Sequence, residues 1–292
     1  MEKTPASLLE KIMSYERVHA IRDWSDLRWR LGGPGRQLFA FLHPRMPGEP
    51  LVFVQCCLRT AIPSRLADVL PDQTTTDDGD CDGSGDEKSA ASNDDHQRNV
   101  TVFYSISSPF TGLRGVPLGR LLIKQVLSTL AAEQPQLDTF VTLSPVPGFR
   151  SWLEARLAQR GEAKADEAKA LDRLLTALES DGLDASSPFE SPLVSEKAAV
   201  RDALLSLCAR YLCLATKRQR ALDPVAGFHL RNGATLLDLH WAANPSPRGL
   251  RESAGIMVNY QYRIEAIEEN HSAYLATGKI SASDSVWRLV GD

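Results

Sequence analysis

The chain is 292 residues long, 43% hydrophobic and 24% charged. That is the composition of a globular protein able to bury a sizeable core, and it excludes collagen, a coiled-coil rod or disorder throughout. With 33 Lys and Arg against 37 Asp and Glu the net charge is −4, a balance that speaks against nucleic acid or an anionic membrane surface as partner.

The most apolar stretches, 51–58 and 100–106, are far shorter than the roughly 18–20 residues of a membrane-spanning helix. Residues 1–31 read as helical. Leu8, Leu9, Ile12 and Met13 recur at helical spacing, and Asp23-Trp24-Ser25-Asp26 opens a second helix. Gly32-Gly33-Pro34-Gly35 stops it. Strands are expected over 37–42 and 51–58, joined into a hairpin by the proline-rich turn 43–50. Residues 72–98 hold nine acidic and two basic residues and no Val, Ile, Leu or aromatic. Such a stretch buries too little apolar surface to offset its ordering entropy and reads as a disordered acidic insertion. Its acidic core does not follow the calcium-loop ligand pattern. Without it the chain carries +3, so the folded body is mildly basic.

The stretch 100–107 is a strong strand, β-branched and aromatic. A glycine-punctuated loop over 108–119 leads into a helix over 118–133, where Leu118, Leu121, Leu122, Ile123, Val126, Leu127 and Leu130 cover more than one face. A short strand over 140–143 is expected to end at Ser144, because Pro145 and Pro147 cannot continue a central ladder. Residues 149–218 are mostly helical, with a polar connection over 181–192. A helix over 225–230 sits between Asp223-Pro224 and the cap pair Asn232-Gly233. Strands are expected over 235–241 and 255–262. Strands alternating with helices give an α/β or α+β domain, a mixed sheet with helices packed on it. The five cysteines, at 56, 57, 81, 208 and 213, form no CxxC pair. They read as free thiols in a reducing compartment, with no structural zinc. No targeting segment is visible, which makes the cytosol the default location.

The segment GLRGVPLGRLLIK over 112–124 follows a strand and opens a helix. Glycines let backbone N–H groups approach a ligand, and the helix start carries partial positive charge; together they favour a phosphate. The pattern is neither a Walker loop nor GxGxxG, and taken alone it reads first as turn chemistry. Arg114-Gly115-Val116-Pro117-Leu118-Gly119 nevertheless resembles the pyrophosphate loop of the GNAT acyl-CoA superfamily. Seven blocks in order narrow the likeness: MPGEPL (46–51), FYSIS (103–107), GLRGVPLG (112–119), LSPVPGF (143–149), LCARYL (207–212), ALDPVAGFHLRNGA (221–234) and NYQY (259–262). Together they resemble the malonyl-CoA decarboxylase family, from about Arg17 onward, except in the acidic insertion and more loosely over 163–200.

The resemblance implies a GNAT-like mixed β-sheet flanked by helices over 32–292. Residues 1–31 would be the remnant of a helical N-terminal domain that drives oligomerisation in the family, so a homo-oligomer is left open. It implies conversion of malonyl-CoA to acetyl-CoA and carbon dioxide in fatty-acid metabolism, without biotin, metal or pyridoxal phosphate. The implied partner is an acyl-CoA, and the implied compartments are mitochondria or peroxisomes beside the cytosol. Ser144 and His229 would be the catalytic pair. Arg114, Gly115, Val116, Pro117, Leu118, Gly119 and Arg120 would hold the CoA phosphates, and Tyr262 would lie near the acyl group. Pro117 stands where family members carry an acidic residue, so any role of that carboxylate is missing.

Decarboxylating a malonyl thioester leaves an enolate. The chemistry needs a holder for the carboxylate, donors for the thioester oxygen, and an acid for the carbon. Backbone N–H groups around 105–108 are the expected oxyanion donors. Ser144 would bond the carboxylate or hand on a proton, and His229 would act as general acid, neither as a covalent nucleophile. Without the resemblance, Ser144 before Pro145 reads as a turn serine with no GxSxG elbow, and His229 as a structural histidine. Tyr260 competes with Tyr262 for the inward position. His43, His96 and His240 show no metal-ligand spacing. Two other functions stay open: an acyltransferase of the same fold passing an acyl group to an amine, and a non-catalytic CoA-binding protein.

Overall fold

A computed structural model describes residues 4–70, 98–113, 116, 118–180 and 198–291. The acidic insertion expected over 72–98, apart from Arg98, and the connection expected over 181–192 lie outside the described residues. The chain divides into two compact units, Met1–Pro63 with Val69–Thr142, and Ser64–Asp68 with Leu143–Asp292.

The first unit opens with helices α1 (Ala6–Tyr15) and α2 (Trp24–Gly32). The Asp23 side chain caps α2 by accepting the Asp26 N–H at 2.8 Å, the role that favours Asp at a helix start. Leu9, Ile12, Ile21 and Leu27 form one buried cluster with Phe53, so these helices share their core with a strand. Strands β1 (Arg36–His43), β2 (Met46–Arg59) and β3 (Val100–Ser107) pair antiparallel in sequence order. Strand β4 (Thr139–Thr142) pairs parallel with β3. A parallel neighbour needs a crossover, which helix α3 (Leu118–Glu133) supplies. The sheet is therefore mixed. From Val52 to Leu58 every residue of β2 is buried. Both faces are covered, which is why this stretch is apolar on both sides without alternation, save for Gln55, whose amide is held by Glu16.

The turn of the hairpin is tighter than the sequence suggests. His43 pairs with Met46 across Pro44-Arg45, and Leu42 pairs with Pro50. Most of the expected turn is thus an irregular start to β2, a bulge that Gly48 allows at φ +74°.

Two networks around buried charges brace this unit. Arg30, 2% exposed, donates to both carboxylate oxygens of Asp26 at 2.7 and 3.0 Å and to the His19 and Ala20 carbonyls. Glu16 is also buried. Its Oε1 accepts the Val18 and His19 N–H groups at 2.7 and 3.1 Å and the Ser107 hydroxyl at 3.3 Å. Its Oε2 accepts Gln55 Nε2 at 2.5 Å and the Ser105 hydroxyl at 2.6 Å.

The second unit begins with β5 (Ser144–Pro145), followed by α4 (Phe149–Ala158), α5 (Ala165–Ser180) and α6 (Ala198–Leu214). A two-stranded ribbon follows, β6 (Thr216–Lys217) and β7 (Arg220–Ala221). Then come α7 (Pro224–Arg231), β8 (Thr235–His240), α8 (Pro247–Ser253) and β9 (Met257–Gln261). Helices α9 (Ile267–Thr277) and α10 (Asp284–Gly291) close the chain. Strand β9 takes β8 and β5 as antiparallel partners, with Ser144 opposite Val258 and Pro145 opposite Met257. The expected end of the strand at Ser144 stands, since β4 stops at Thr142, and a separate two-residue strand that the sequence did not suggest follows it. Pro145 has no N–H to extend it. The three helices after residue 246 were not expected from the sequence. The first is capped by Ser246, which accepts the Gly249 N–H at 3.1 Å, with Pro247 at the first helical position.

Candidate active site

Three side chains singled out in the sequence meet in the second unit. Ser144 opens β5, and the two prolines that follow restrict the backbone leaving it. His229 sits on α7. Asp223 caps that helix, its Oδ1 accepting the Val225 and Ala226 N–H groups at 2.9 and 3.0 Å, and Pro224 occupies the first helical position. The helix ends at Asn232-Gly233. Gly233 has φ +84°, and an added Cβ would lie 2.2 Å from the Ile267 carbonyl oxygen, so conformation and space both demand glycine there. Tyr262 follows the last residue of β9.

His229 is 4% exposed, and both its ring nitrogens are engaged. Nε2 lies 3.1 Å from Ser144 Oγ, and Nδ1 lies 2.8 Å from the Tyr262 hydroxyl. The ring stacks on Tyr260, centroids 4.5 Å apart and planes 21° apart. The sequence set Tyr260 against Tyr262; both are buried and both touch the imidazole, one by its face and the other by its hydroxyl. Burial pushes the His229 pKa down to about 3 and raises those of Tyr260 and Tyr262. The imidazole is therefore neutral at pH 7, one nitrogen a donor and the other an acceptor.

His240 bonds Asn259 through Nε2, so it has a polar partner on the neighbouring strand. Among the described residues no three His, Cys, Asp or Glu side chains gather as a metal-ligand set.

The expected phosphate loop belongs to the first unit. Leu118, Gly119 and Arg120 form the first turn of α3. Val116 is exposed, and its N–H reaches the Leu113 carbonyl at 3.0 Å. Arg114, Gly115 and Pro117 lie outside the described residues. Lys124, one turn beyond Arg120, has its pKa lowered by desolvation and then by the Arg120 charge. Of the expected oxyanion stretch 105–108, the Ser105 and Ser107 hydroxyls are committed to Glu16.

The family model for the malonyl-CoA decarboxylase C-terminal domain matches residues 2–292. The chain belongs to the malonyl-CoA decarboxylase family. It is 36% identical to the mitochondrial malonyl-CoA decarboxylase of Anser anser anser, over 99% of this chain and 56% of that protein. With the Mus musculus enzyme the identity is 35%, over 98% and 57%. The chain thus spans about half the length of these curated relatives. Among solved structures, the malonyl-CoA decarboxylase of Agrobacterium vitis is 39% identical with a TM-score of 0.80, over 99% of this chain and 65% of that one. That of Rhodopseudomonas palustris is 38% identical with a TM-score of 0.76, over 98% and 64%. The family's α/β fold, a mixed sheet flanked by helices, is the one seen here.

Proposed function

We propose that this chain decarboxylates malonyl-CoA to acetyl-CoA and carbon dioxide, as a carboxy-lyase, with Ser144, His229 and Tyr262 handling the proton. The observation that carries the reading is the continuous chain Ser144–His229–Tyr262 through both imidazole nitrogens, in a family whose relatives bear that activity in their names.

The bond that breaks joins Cα to the carboxyl carbon. Its electron pair moves into the thioester as an enolate, carbon dioxide leaves, and one proton must reach Cα. With Nε2 protonated, His229 donates to Ser144 Oγ and accepts from the Tyr262 hydroxyl at Nδ1. In that arrangement Ser144 Oγ accepts from Nε2, and its own proton is the one passed to the substrate, first to the carboxylate and then to the enolate carbon. As Ser144 gives up its proton it takes one from Nε2, and Nδ1 takes one from Tyr262. Because Nε2 faces Ser144, this geometry favours the serine as terminal donor over direct protonation by His229. A thioester enolate is a far stronger base than a tyrosinate, so the transfer runs downhill. The CoA phosphates are assigned to Arg114, Gly115, Val116, Pro117, Leu118, Gly119 and Arg120, where the positive end of the α3 dipole favours an anion. The mitochondrial relatives support mitochondria beside the cytosol as the place of reaction.

The test is to incubate the purified chain with malonyl-CoA and follow acetyl-CoA by chromatography and trapped carbon dioxide. Turnover lost in Ser144→Ala and His229→Asn supports the reading. Turnover only with an added amine would make the chain an acyltransferase, and CoA binding without turnover a non-catalytic binder.

A further inference from the structure

The Asp223 carboxylate is 1% exposed, and its two oxygens face different parts of the chain. Oδ1 makes both cap bonds to α7. Oδ2 turns away from that helix and accepts the Gly148 N–H at 3.2 Å and the Tyr211 hydroxyl at 3.3 Å. A cap needs only one oxygen, and a serine supplies one. The second oxygen is left to explain, and its partners explain it. Gly148 lies four residues after Ser144 on a segment stiffened by Pro145 and Pro147. His229 lies six residues after Asp223 on the helix the carboxylate caps.

We infer that Asp223 is a positioning residue that sets the Ser144–His229 separation by tying together the two backbone segments that carry them. It acts through those segments; none of its hydrogen bonds goes to the serine or the imidazole. Gly148 is fitted to the tie. A Cβ there would lie 2.2 Å from the Tyr211 hydroxyl oxygen and 3.4 Å from Asp223 Oδ2, so only glycine lets the amide come this close. Tyr211 is held in turn by the rings of Phe149 and Trp152, at 6.0 and 5.2 Å between centroids.

The inference rests on the decarboxylase reading for its kinetic consequence, but its geometric content stands apart from it. In Asp223→Ser the hydroxyl keeps the helix cap and drops the bond to Gly148. In the isosteric Asp223→Asn the carbonyl keeps the cap, while an NH₂ meets the Gly148 N–H, donor against donor. Misplacement on the scale of 1 Å costs about 10²-fold in rate. Both variants should lose about 10–100-fold in kcat on malonyl-CoA with KM held within about twofold. The ¹⁵N shifts of the His229 ring in histidine-labelled protein should move away from the wild-type pattern. Arg156→Ala, which breaks the α4–α5 ion pair with Glu167, serves as a destabilised control and should keep both kcat and the ring shifts. Wild-type kcat and ring shifts in a folded Asp223→Asn protein would overturn the inference. If the wild-type chain does not turn over malonyl-CoA, the decarboxylase reading falls alone, and the ring shifts still decide whether Asp223 positions the pair. Should Asp223→Ser fail to fold, the isosteric variant carries the test.

Discussion

Removing the Tyr262 hydroxyl probes the proton chain with the least disturbance, because Tyr262→Phe keeps the ring in its buried place and deletes one oxygen. That oxygen lies 2.8 Å from His229 Nδ1. Its loss leaves a buried ring nitrogen without a hydrogen-bond partner, at a cost of about 1–3 kcal/mol. If the loss falls on the transition state, a factor of ten for each ~1.4 kcal/mol gives a fall in kcat of about 5–150-fold. KM should stay within about twofold, since the bond removed is made to His229. The assay is steady-state release of acetyl-CoA, with a thermal melt alongside to show that the variant folds. The melt itself should drop by roughly 2–4 °C per kcal/mol lost. A folded variant with wild-type kcat, or one whose only change is a raised KM, would refute the reasoning, since the hydroxyl would then neither set the imidazole tautomer nor feed the proton.

The pKa of His229, about 3 in the fold against an ordinary 6.5, means the unfolded state binds a proton between those values that the native state does not. Stability therefore falls as the pH drops from about 6.5 towards 3, by up to roughly 1.4 kcal/mol per pH unit. Urea midpoints should decline more steeply in the wild type than in His229→Gln, and parallel profiles would count against the assignment. Cys56, Cys57, Cys208 and Cys213 are buried, and burial pushes all four thiols up, Cys213 to about 12. Alkylation of native protein at pH 8 followed by peptide mapping should leave these four unmodified; rapid labelling of any of them without denaturant would contradict their burial. Arg30→Ala removes the bidentate partner of the buried Asp26 carboxylate and leaves it the Arg22 N–H at 3.1 Å and the Arg22 guanidinium at 3.7 Å, so it should cost up to about 3 kcal/mol in urea unfolding. A loss under about 1 kcal/mol would show that water reaches the pair.

Local chemistry made much of the fold readable. Strand β3 and helix α3 carry their periods plainly, and both coincide with the expected ranges, 100–107 and 118–133. The caps at Asp23 and Asp223 were visible as side chains ahead of helical runs. The helices α8, α9 and α10 were not. The first has only seven residues, too short for a period to register. A cue existed at its start, Ser246 before Pro247, and another at the end of α9, where Gly278 takes φ +73°. Strand β5 escaped because a proline in second place argues against any strand, and only the partner β9, more than a hundred residues later, supplies the pairing. At the candidate site, Ser144, His229 and Tyr262 could be named from resemblance, but not which imidazole nitrogen meets which hydroxyl. The second oxygen of Asp223 was invisible for the same reason: its partner Gly148 is 75 residues away, and no local rule connects them.

Glu16 bears on how this chain could be cut. Residue 31 looks like a natural place to start a shorter version, since the sequence changes there from helix to strand. Yet the carboxylate that Gln55, Ser105 and Ser107 rely on comes from residue 16, and the side chains that cover Phe53 come from Leu9, Ile12, Ile21 and Leu27. A protein begun at Gly32 would leave three buried donors without an acceptor and open an apolar strand face to water, an invitation to aggregate. Expression work that trims the front of this domain should stop short of Ala6, treating the first two helices as the underside of the sheet that follows them.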